Sequence, residues 1–237
     1  MKKPKYQRIL LKLSGEALSS GQDGILNFDF IEKVAKKIKE CADKGAQIAI
    51  VVGGGNIWRG KTGTQISRSR SDHIGMLATV INSLAMATGL ENAGLPTVTM
   101  TAIPMIQIAE PYVRDKAVEH LENGKAVIVA CGTGSPFFST DTAAVLRAVE
   151  LDADAALFAK NIDGVYTADP KKDPNAKKLD TVSYNDILKN DLAVIDSTAA
   201  AMGRENNLPI LLFGLNEPEN IVSAVMGEKI GTIVSNY

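Results

Sequence analysis

Little in this chain of 237 residues suggests metal, thiol or imidazole chemistry. It has two cysteines, Cys41 and Cys131, and two histidines, His73 and His120. Two thiols make no disulfide framework, and neither sits in a metal-ligand spacing. A reducing compartment suits them, with both thiols expected as small buried hydrophobes. The histidines are too few and too far apart for a metal cluster, and each reads as a helix-surface residue. No Ser-His-Asp order and no Cys-His pair is present. Charge of one sign is also lacking: the net charge is −1, which argues against a general nucleic-acid binder. No apolar run approaches the roughly 20 residues of a membrane span. The start, Met-Lys-Lys-Pro-Lys, is followed by only a short apolar stretch before Lys12, unlike a signal peptide. There is no internal repeat, low-complexity tract or Pro/Gly-rich linker. The expectation is a soluble, cytoplasmic protein forming one domain over residues 1–237.

Strand and helix patterns alternate along the whole length. Residues 9–13, 48–52, 97–100, 126–130, 155–159 and 210–213 read as strands, with a last short one near Ile233. Asp29 with Glu32 reads as a capping box opening a helix, with Ile31, Val34, Ile38 and Cys41 on one face and Gly45 at its end. Asp72 is expected to cap a long helix through about Asn92, and Asp141 to cap another running to about Leu151. Residues 113–122 and 219–226 also read as helices. The polar stretch 169–180 reads as a surface loop. Alternation of this kind predicts the α/β class, a mainly parallel central sheet sandwiched by helices.

In open α/β sheets ligands bind beyond the carboxyl ends of strands, so the loops there carry the functional reading. The run 51–62 is Val-Val-Gly-Gly-Gly-Asn-Ile-Trp-Arg-Gly-Lys-Thr, a strand emptying into three glycines. Glycine lets the backbone approach a ligand and turn N–H groups to an anion, and Arg59 close behind offers a bidentate phosphate partner. After the first strand, Lys12-Leu13-Ser14-Gly15-Glu16 offers a point charge and free N–H groups. A third loop, Gly132-Thr133-Gly134-Ser135-Pro136-Phe137-Phe138-Ser139-Thr140-Asp141, brings hydroxyls and aromatics to a helix start, where the dipole favours an anion. The fourth, residues 160–170, holds the turn signal Asp163-Gly164 and Tyr166, placed to stack on a base or to pack on the surface.

Residues 55–62 also match the P-loop pattern G-x-x-x-x-G-K-[ST]. That match is read as accidental. Trp58 and Arg59 occupy the wrap, and Gly63 and the polar run 65–71, without helical period, follow where an amphipathic helix is required. Residues 192–196 imitate the strand-end aspartate of such enzymes, a pattern common by chance. A site of lysines, arginine, glycine N–H groups and Mg²⁺ suits phosphoryl transfer, which needs positioning and charge neutralisation. A phosphate acceptor, already ionised near neutral pH, needs no general base.

These loops, in this order, resemble the bacterial UMP kinases of the amino acid kinase family. The similarity runs nearly end to end. Its most specific pieces are Asp72-His73-Ile74-Gly75-Met76-Leu77-Ala78-Thr79, the stretch from Gly132 through Asp141, and Asp163-Gly164-Val165-Tyr166-Thr167-Ala168-Asp169-Pro170. The resemblance implies ATP and UMP as substrates, with Mg²⁺. It implies that Lys12, Leu13, Ser14 and Gly15 hold ATP phosphates, with Lys12 neutralising charge on the transferring group. Gly54 is then a UMP contact, and Gly55 and Arg59 clamp phosphates. Asp72 accepts from the UMP ribose hydroxyls, and Thr133, Gly134, Ser135, Pro136, Phe137, Phe138, Ser139 and Thr140 form the uridylate pocket. Lys160 or Asn161, with Tyr166 and Asp169, holds the adenosine part. Asp141 and Asp196 match acidic positions associated with Mg²⁺ or fold integrity. The stretch Ser20, Gly21, Gln22, Asp23, Gly24 and Ile25 matches one tied to GTP activation, with UTP as inhibitor, in an enzyme that is typically a homohexamer. The apolar helix 72–92 is a candidate dimer contact. Two other readings of the residues stay open: another acceptor on the same fold, such as an amino acid or carbamate, and a nucleotide sensor without turnover.

Overall fold

The computed structural model describes residues 3–19, 24–59, 66–168, 170, 173, 175–190, 192 and 194–236. Its centre is a nine-stranded sheet built on β1 (Arg8–Leu13), flanked by β2 (Gln47–Val52) and β6 (Ala155–Lys160). Beyond β2 lie β5 (Ala126–Ala130), β3 (Thr97–Thr101) and the two-residue β4 (Glu110–Pro111). Beyond β6 lie β10 (Ile210–Gly214), β11 (Thr232–Ser235) and β9 (Thr181–Ser183). All pairings in this sheet are parallel except β10 with β11. A separate two-stranded ribbon joins β7 (Val165–Tyr166) to β8 (Lys178–Leu179).

The central strands are apolar on both faces because helices cover both. Ile9, Leu11 and Leu13 enter one core with residues of α1 (Phe28–Asp43), α2 (Arg68–Asn92) and α7 (Glu219–Met226). Leu10, Ala49, Val51 and Phe158 enter the other, with α3 (Arg114–Glu122), α4 (Thr140–Glu150), α5 (Tyr184–Lys189) and α6 (Ser197–Glu205). The alternation has one consequence for chemistry: Lys12, two residues after Leu10, must point to the α4 side.

Three helix starts differ from the sequence expectation. Helix α1 is capped by Asn27, whose side chain accepts from the Phe30 N–H, and Glu32 pairs with Lys36 instead of closing a capping box. Helix α2 opens at Arg68 under the cap of Ser67, so the polar run 68–71 is its first turn and Asp72 lies inside it. Those residues look aperiodic because their partner surface is a cleft, not a core. Helix α4 is capped by Ser139, which accepts from the Asp141 and Thr142 N–H groups. Asp141 is thereby free for another task. The short α5 and the small-residue α6 carry no strong apolar period, and neither stands out in the sequence.

Helix α2 has the length and mean hydropathy of a membrane span, contrary to the expectation of no such run, but 61% of that window is buried inside the protein. Leu77, Ile81 and Leu84 form an exposed apolar stripe on its outer side. Cys41 and Cys131 are both fully buried, as expected, and burial pushes the Cys41 thiol up to about 12.

Candidate functional site

At the carboxyl ends of β1 and β6, two lysines converge on one aspartate. Asp141 Oδ1 lies 3.0 Å from Lys12 Nζ, and Oδ2 lies 2.7 Å from Lys160 Nζ. Lys12 is only 8% exposed, and both ammonium groups approach the Phe158 ring between them, at 5.9 and 5.6 Å from its centroid. The strand pleat explains the arrangement. Lys12 pairs in register with Phe158, and Lys160 follows two residues on, on the same face. The first turn of α4 then sets Asp141 over both. Burial alone raises the Asp141 carboxyl, but Lys12 and Lys160 outweigh it and hold it below its ordinary value. Burial pushes Lys160 down, with Asp141 pulling the other way. Lys160 also donates to the Val194 carbonyl. Lys12, Lys160 and Asp141 alone sum to one positive charge at a helix N-terminus, a place that suits an anion, and the Asp196 carboxylate also acts on Lys160.

The loops after β1 and β2 press together over this cluster. A Cβ on Gly15 would sit 2.3 Å from the Gly53 carbonyl oxygen, and one on Gly54 would sit 2.9 Å from Ala78 Cβ. Glycine at these two positions is therefore a condition for the loops to meet each other and helix α2. Arg59 pairs with Glu16 Oε1, and Asn161 donates to Glu16 Oε2 at 3.2 Å, so this carboxylate ties the loops after β1, β2 and β6.

Next to them opens a cleft of roughly 240 Å³. One wall is α2, with Arg68, Ser71, Asp72, Gly75, Met76 and Thr79. Opposite are Gly132, Thr133, Ser135, Phe138, Ser139 and Thr140, with Gly54 at the end nearer the glycine loop. Asp72 holds both walls: its two oxygens share the Arg68 Nε–H in a bifurcated hydrogen bond, and it accepts the Phe137 N–H at 2.8 Å. Phe137 sits in the left-handed region at φ 74°, a conformation that costs energy in a non-glycine residue and concentrates at functional sites. Asp196 caps α6 through the Ala199 N–H and accepts from the hydroxyls of Ser139 and Thr142, locking the start of α4 to α6.

Of the expected site residues, Lys12, Asp141 and Lys160 form one cluster, and Gly15, Gly55, Arg59 and Asn161 meet around Glu16. The Leu13 side chain is wholly in the core, and its carbonyl accepts the Gly53 N–H at 2.9 Å. Gly134 backs onto Ala102, and Phe137 holds Asp72 through its backbone; neither they nor Pro136 line the cleft. Tyr166 is joined to Asp163 at 2.8 Å, which pairs in turn with Lys178, on the small ribbon. Asp196 caps a helix and ends no strand, which removes the imitation of a P-loop aspartate. Ser20, Gly21, Gln22, Asp23, Lys61, Thr62 and Asp169 lie outside the described residues; Gly24 and Ile25 lie within them. Sequence reasoning missed Arg68, Ser71, Gly75, Met76 and Thr79. The signal was available: from Asp72 they fall at −4, −1, +3, +4 and +7, one helix face.

Residues 7–214 match the Amino acid kinase family. The chain belongs to the amino acid kinase family. Among solved structures, a UMP kinase from Bacillus anthracis superposes with a TM-score of 0.94 at 40% identity, over 98% of this chain and 96% of that one. A UMP kinase from Ureaplasma parvum gives 0.92 at 36% identity with both chains fully covered. A uridylate kinase from Archaeoglobus fulgidus gives 0.75 at 30% identity, over 96% and 99% of the two chains. The lysine pair and the adjoining cleft lie side by side at the carboxyl edge of the sheet.

Proposed function

We propose that this amino acid kinase transfers the γ-phosphoryl group of ATP to UMP, giving ADP and UDP. The observation that carries the reading is the Lys12–Asp141–Lys160 cluster at the N-terminus of α4, opening beside the Asp72 cleft. The structures that resemble this chain over nearly its whole length are of UMP kinases, which supports the acceptor.

The chemistry follows from charge. In phosphoryl transfer negative charge spreads over the equatorial oxygens of the moving group. Lys12 and Lys160 supply fixed cations there, and partial burial raises their electrostatic effect above that of surface lysines. Asp141, held below its ordinary pKa by two lysines, is a poor base; its role is to hold both ammonium groups in place. The acceptor needs none, because a UMP phosphate oxygen is already anionic. Gly15 offers its backbone to the ATP phosphates, the Ser14 N–H being bonded to the Ala159 carbonyl at 3.3 Å, and Gly55 and Arg59 close on them. Asp72 has carboxylate oxygens suited to ribose hydroxyls, and Thr133, Ser135, Phe138 and Thr140 surround the base. Asn161 and Tyr166 hold the adenosine side.

The donor set does not suit a resident metal. No group of three ligating side chains exists among the described residues, Asp141 is shared by two lysines, and Asp196 is spent on two hydroxyls and an amide. Mg²⁺ therefore enters with ATP, as part of that substrate. The wider reading is of one domain in the cytoplasm, a homohexamer that uses the Leu77–Ile81–Leu84 face of α2 as a subunit contact, activated by GTP through residues 20–25 and inhibited by UTP.

ADP formation from Mg-ATP, with UMP, CMP, GMP and amino acid acceptors in parallel, tests this. Turnover confined to UMP is expected. Turnover with another acceptor keeps the fold and overturns the pocket assignment, and nucleotide binding without turnover would favour a sensor. An unchanged rate with no GTP binding removes the regulatory part, and a monomer by light scattering removes the assembly.

A further inference from the structure

Helix α2 looks like a core helix in the sequence, but three of its side chains each hold a different part of the site. Asp72 binds the tip of the acceptor loop at Phe137 N–H. Thr79, two turns later, binds its root: the Thr79 hydroxyl accepts the Cys131 N–H at 2.9 Å and donates to the Met76 carbonyl at 2.6 Å. Cys131 has φ 66°, and Gly132 follows at φ 58°. Thr79 therefore satisfies a buried N–H at the left-handed turn that starts the loop.

Asn82, one turn further, faces the other loop and is fully buried. Its amide donates to the Gly53 carbonyl at 2.6 Å and to Asn56 Oδ1 at 2.7 Å, and accepts from Asn56 Nδ2 at 3.1 Å. Those are the atoms against which Gly15 packs: Gly53 oxygen and Asn56 Oδ1 both stand within 2.7 Å of where a Gly15 Cβ would be. Asn82 thus fixes the glycine loop and, through it, the loop carrying Lys12. Buried polar groups on an apolar helix persist only when fully paired, and here the pairing sets loop geometry.

We infer that Thr79 and Asn82 are positioning residues, Thr79 for the acceptor loop and Asn82, through Asn56, for the glycine loop, so that one rigid helix sets the distance between the two substrates. The inference rests on the UMP kinase reading and adds to it residues that touch no reacting atom. In-line transfer needs the reacting atoms held within a few tenths of an ångström, and two loops hung from one helix meet that need better than two loops packed independently.

The test separates the two loops. Thr79→Val keeps the shape and removes the hydroxyl; Thr79→Ser keeps the hydroxyl. Thr79→Val is expected to raise KM for UMP about tenfold, the scale of a buried N–H left without a partner, with KM for ATP changed less than about twofold. Thr79→Ser is expected to restore both. Asn56→Ala, which leaves the helix intact, is expected to raise KM for ATP several-fold and spare KM for UMP. Equal changes in both KM values, or Thr79→Ser behaving as Thr79→Val, would overturn the inference, because a general loss of stability acts that way. Amide hydrogen exchange over residues 131–137 is read in the same proteins without substrate. Faster exchange in Thr79→Val, but not in Thr79→Ser, supports the assignment even if the wild type phosphorylates no UMP. Unchanged protection there sinks it even if the wild type is a fast UMP kinase.

Discussion

The two ends of the sheet carry clefts of opposite character. At the carboxyl ends the cleft is roughly 240 Å³ and narrow in composition: α2, the acceptor loop and glycine. At the amino ends, a cleft of roughly 570 Å³ is lined by Lys3, Arg8, Lys44, Asp152 and Asp154 among others. Judged by size and charge, the second is the better site. Most of its charges, however, are paired internally, Lys44 with Glu40 and Asp152 with Arg114. Arg8 donates to Gln47 at 2.7 Å, to the Leu151 carbonyl at 2.8 Å and to Glu122 at 3.3 Å, while Asp154 accepts the Gln7 and Arg8 N–H groups. At the carboxyl end a buried and a partly buried lysine share one carboxylate under a helix N-terminus. What marks a site is cations held together out of solvent at a helix N-terminus, not the volume beside them.

The largest effect that checks this contrast is expected from Lys12→Ala. Losing one preorganised cation lowers kcat by ~10²–10³-fold, measured as ADP release at saturating ATP and UMP. Lys61→Ala, the lysine of the accidental P-loop pattern, is expected to change little. A dead Lys61→Ala with an active Lys12→Ala reverses the site assignment.

Asp141→Asn comes next, and its sign follows from the cluster. Asp141 draws Lys160 upward against burial and Lys12. Without that carboxylate Lys160 loses its proton at lower pH, so the alkaline limb of the kcat profile moves toward neutrality. Stability responds at the other end of the scale. Asp141 is held below its ordinary value of 3.8 in the folded protein. Its stabilising share is present above that value and is lost as pH falls through the lowered one. Asparagine removes that acid-dependent share. Parallel pH–rate curves and denaturant melts of the two proteins measure both changes, and an unmoved alkaline limb would show that Lys160 does not take part.

At the amino end Arg8→Ala is expected to do the converse. Three hydrogen bonds are lost, a net of about 1.5–4.5 kcal/mol, which lowers Tm by about 3–18 °C in a chain of this size. Both KM values and kcat stay at wild type. A kinetic defect here would erase the distinction between the two clefts.

Much of this contrast could be read from the residues. A lysine ending an apolar run, three glycines after the next, and a hydroxyl-rich loop before a helix all announce the carboxyl edge. What stayed hidden depends on contacts distant in sequence. Asp141 looks like an N-cap, and only the Ser139 cap frees it for the lysines. Lys160 or Asn161 reads as an adenosine contact, and nothing in the sequence announces the Asp141 carboxylate 2.7 Å from Lys160. Thr79 and Asn82 are small polar residues in an apolar helix, invisible to periodicity because their partners lie on loops 52 and 26 or more positions away. Arg8, the first residue of β1, is likewise held by three partners that no local pattern announces.

The smallest effect is expected between these extremes, at Glu16. Its carboxylate lies at the mouth of the carboxyl-end site, bonded to Arg59 and Asn161, where an incoming polyphosphate is to bind. Its side chain is 40% exposed and that of Arg59 63%, so water and salt screen the pair and it contributes about 0–1 kcal/mol. A carboxylate there competes with phosphate for the same guanidinium. Glu16→Gln keeps the shape and removes the competing charge, so KM for ATP is expected to fall about twofold at low ionic strength, with the difference fading as salt shortens the Debye length. A rise in KM instead would mean that Glu16 aims Arg59 at the nucleotide. The carboxyl end would then owe part of its free charge to an internal pair, as the amino end does, and the contrast between the two clefts would be one of degree.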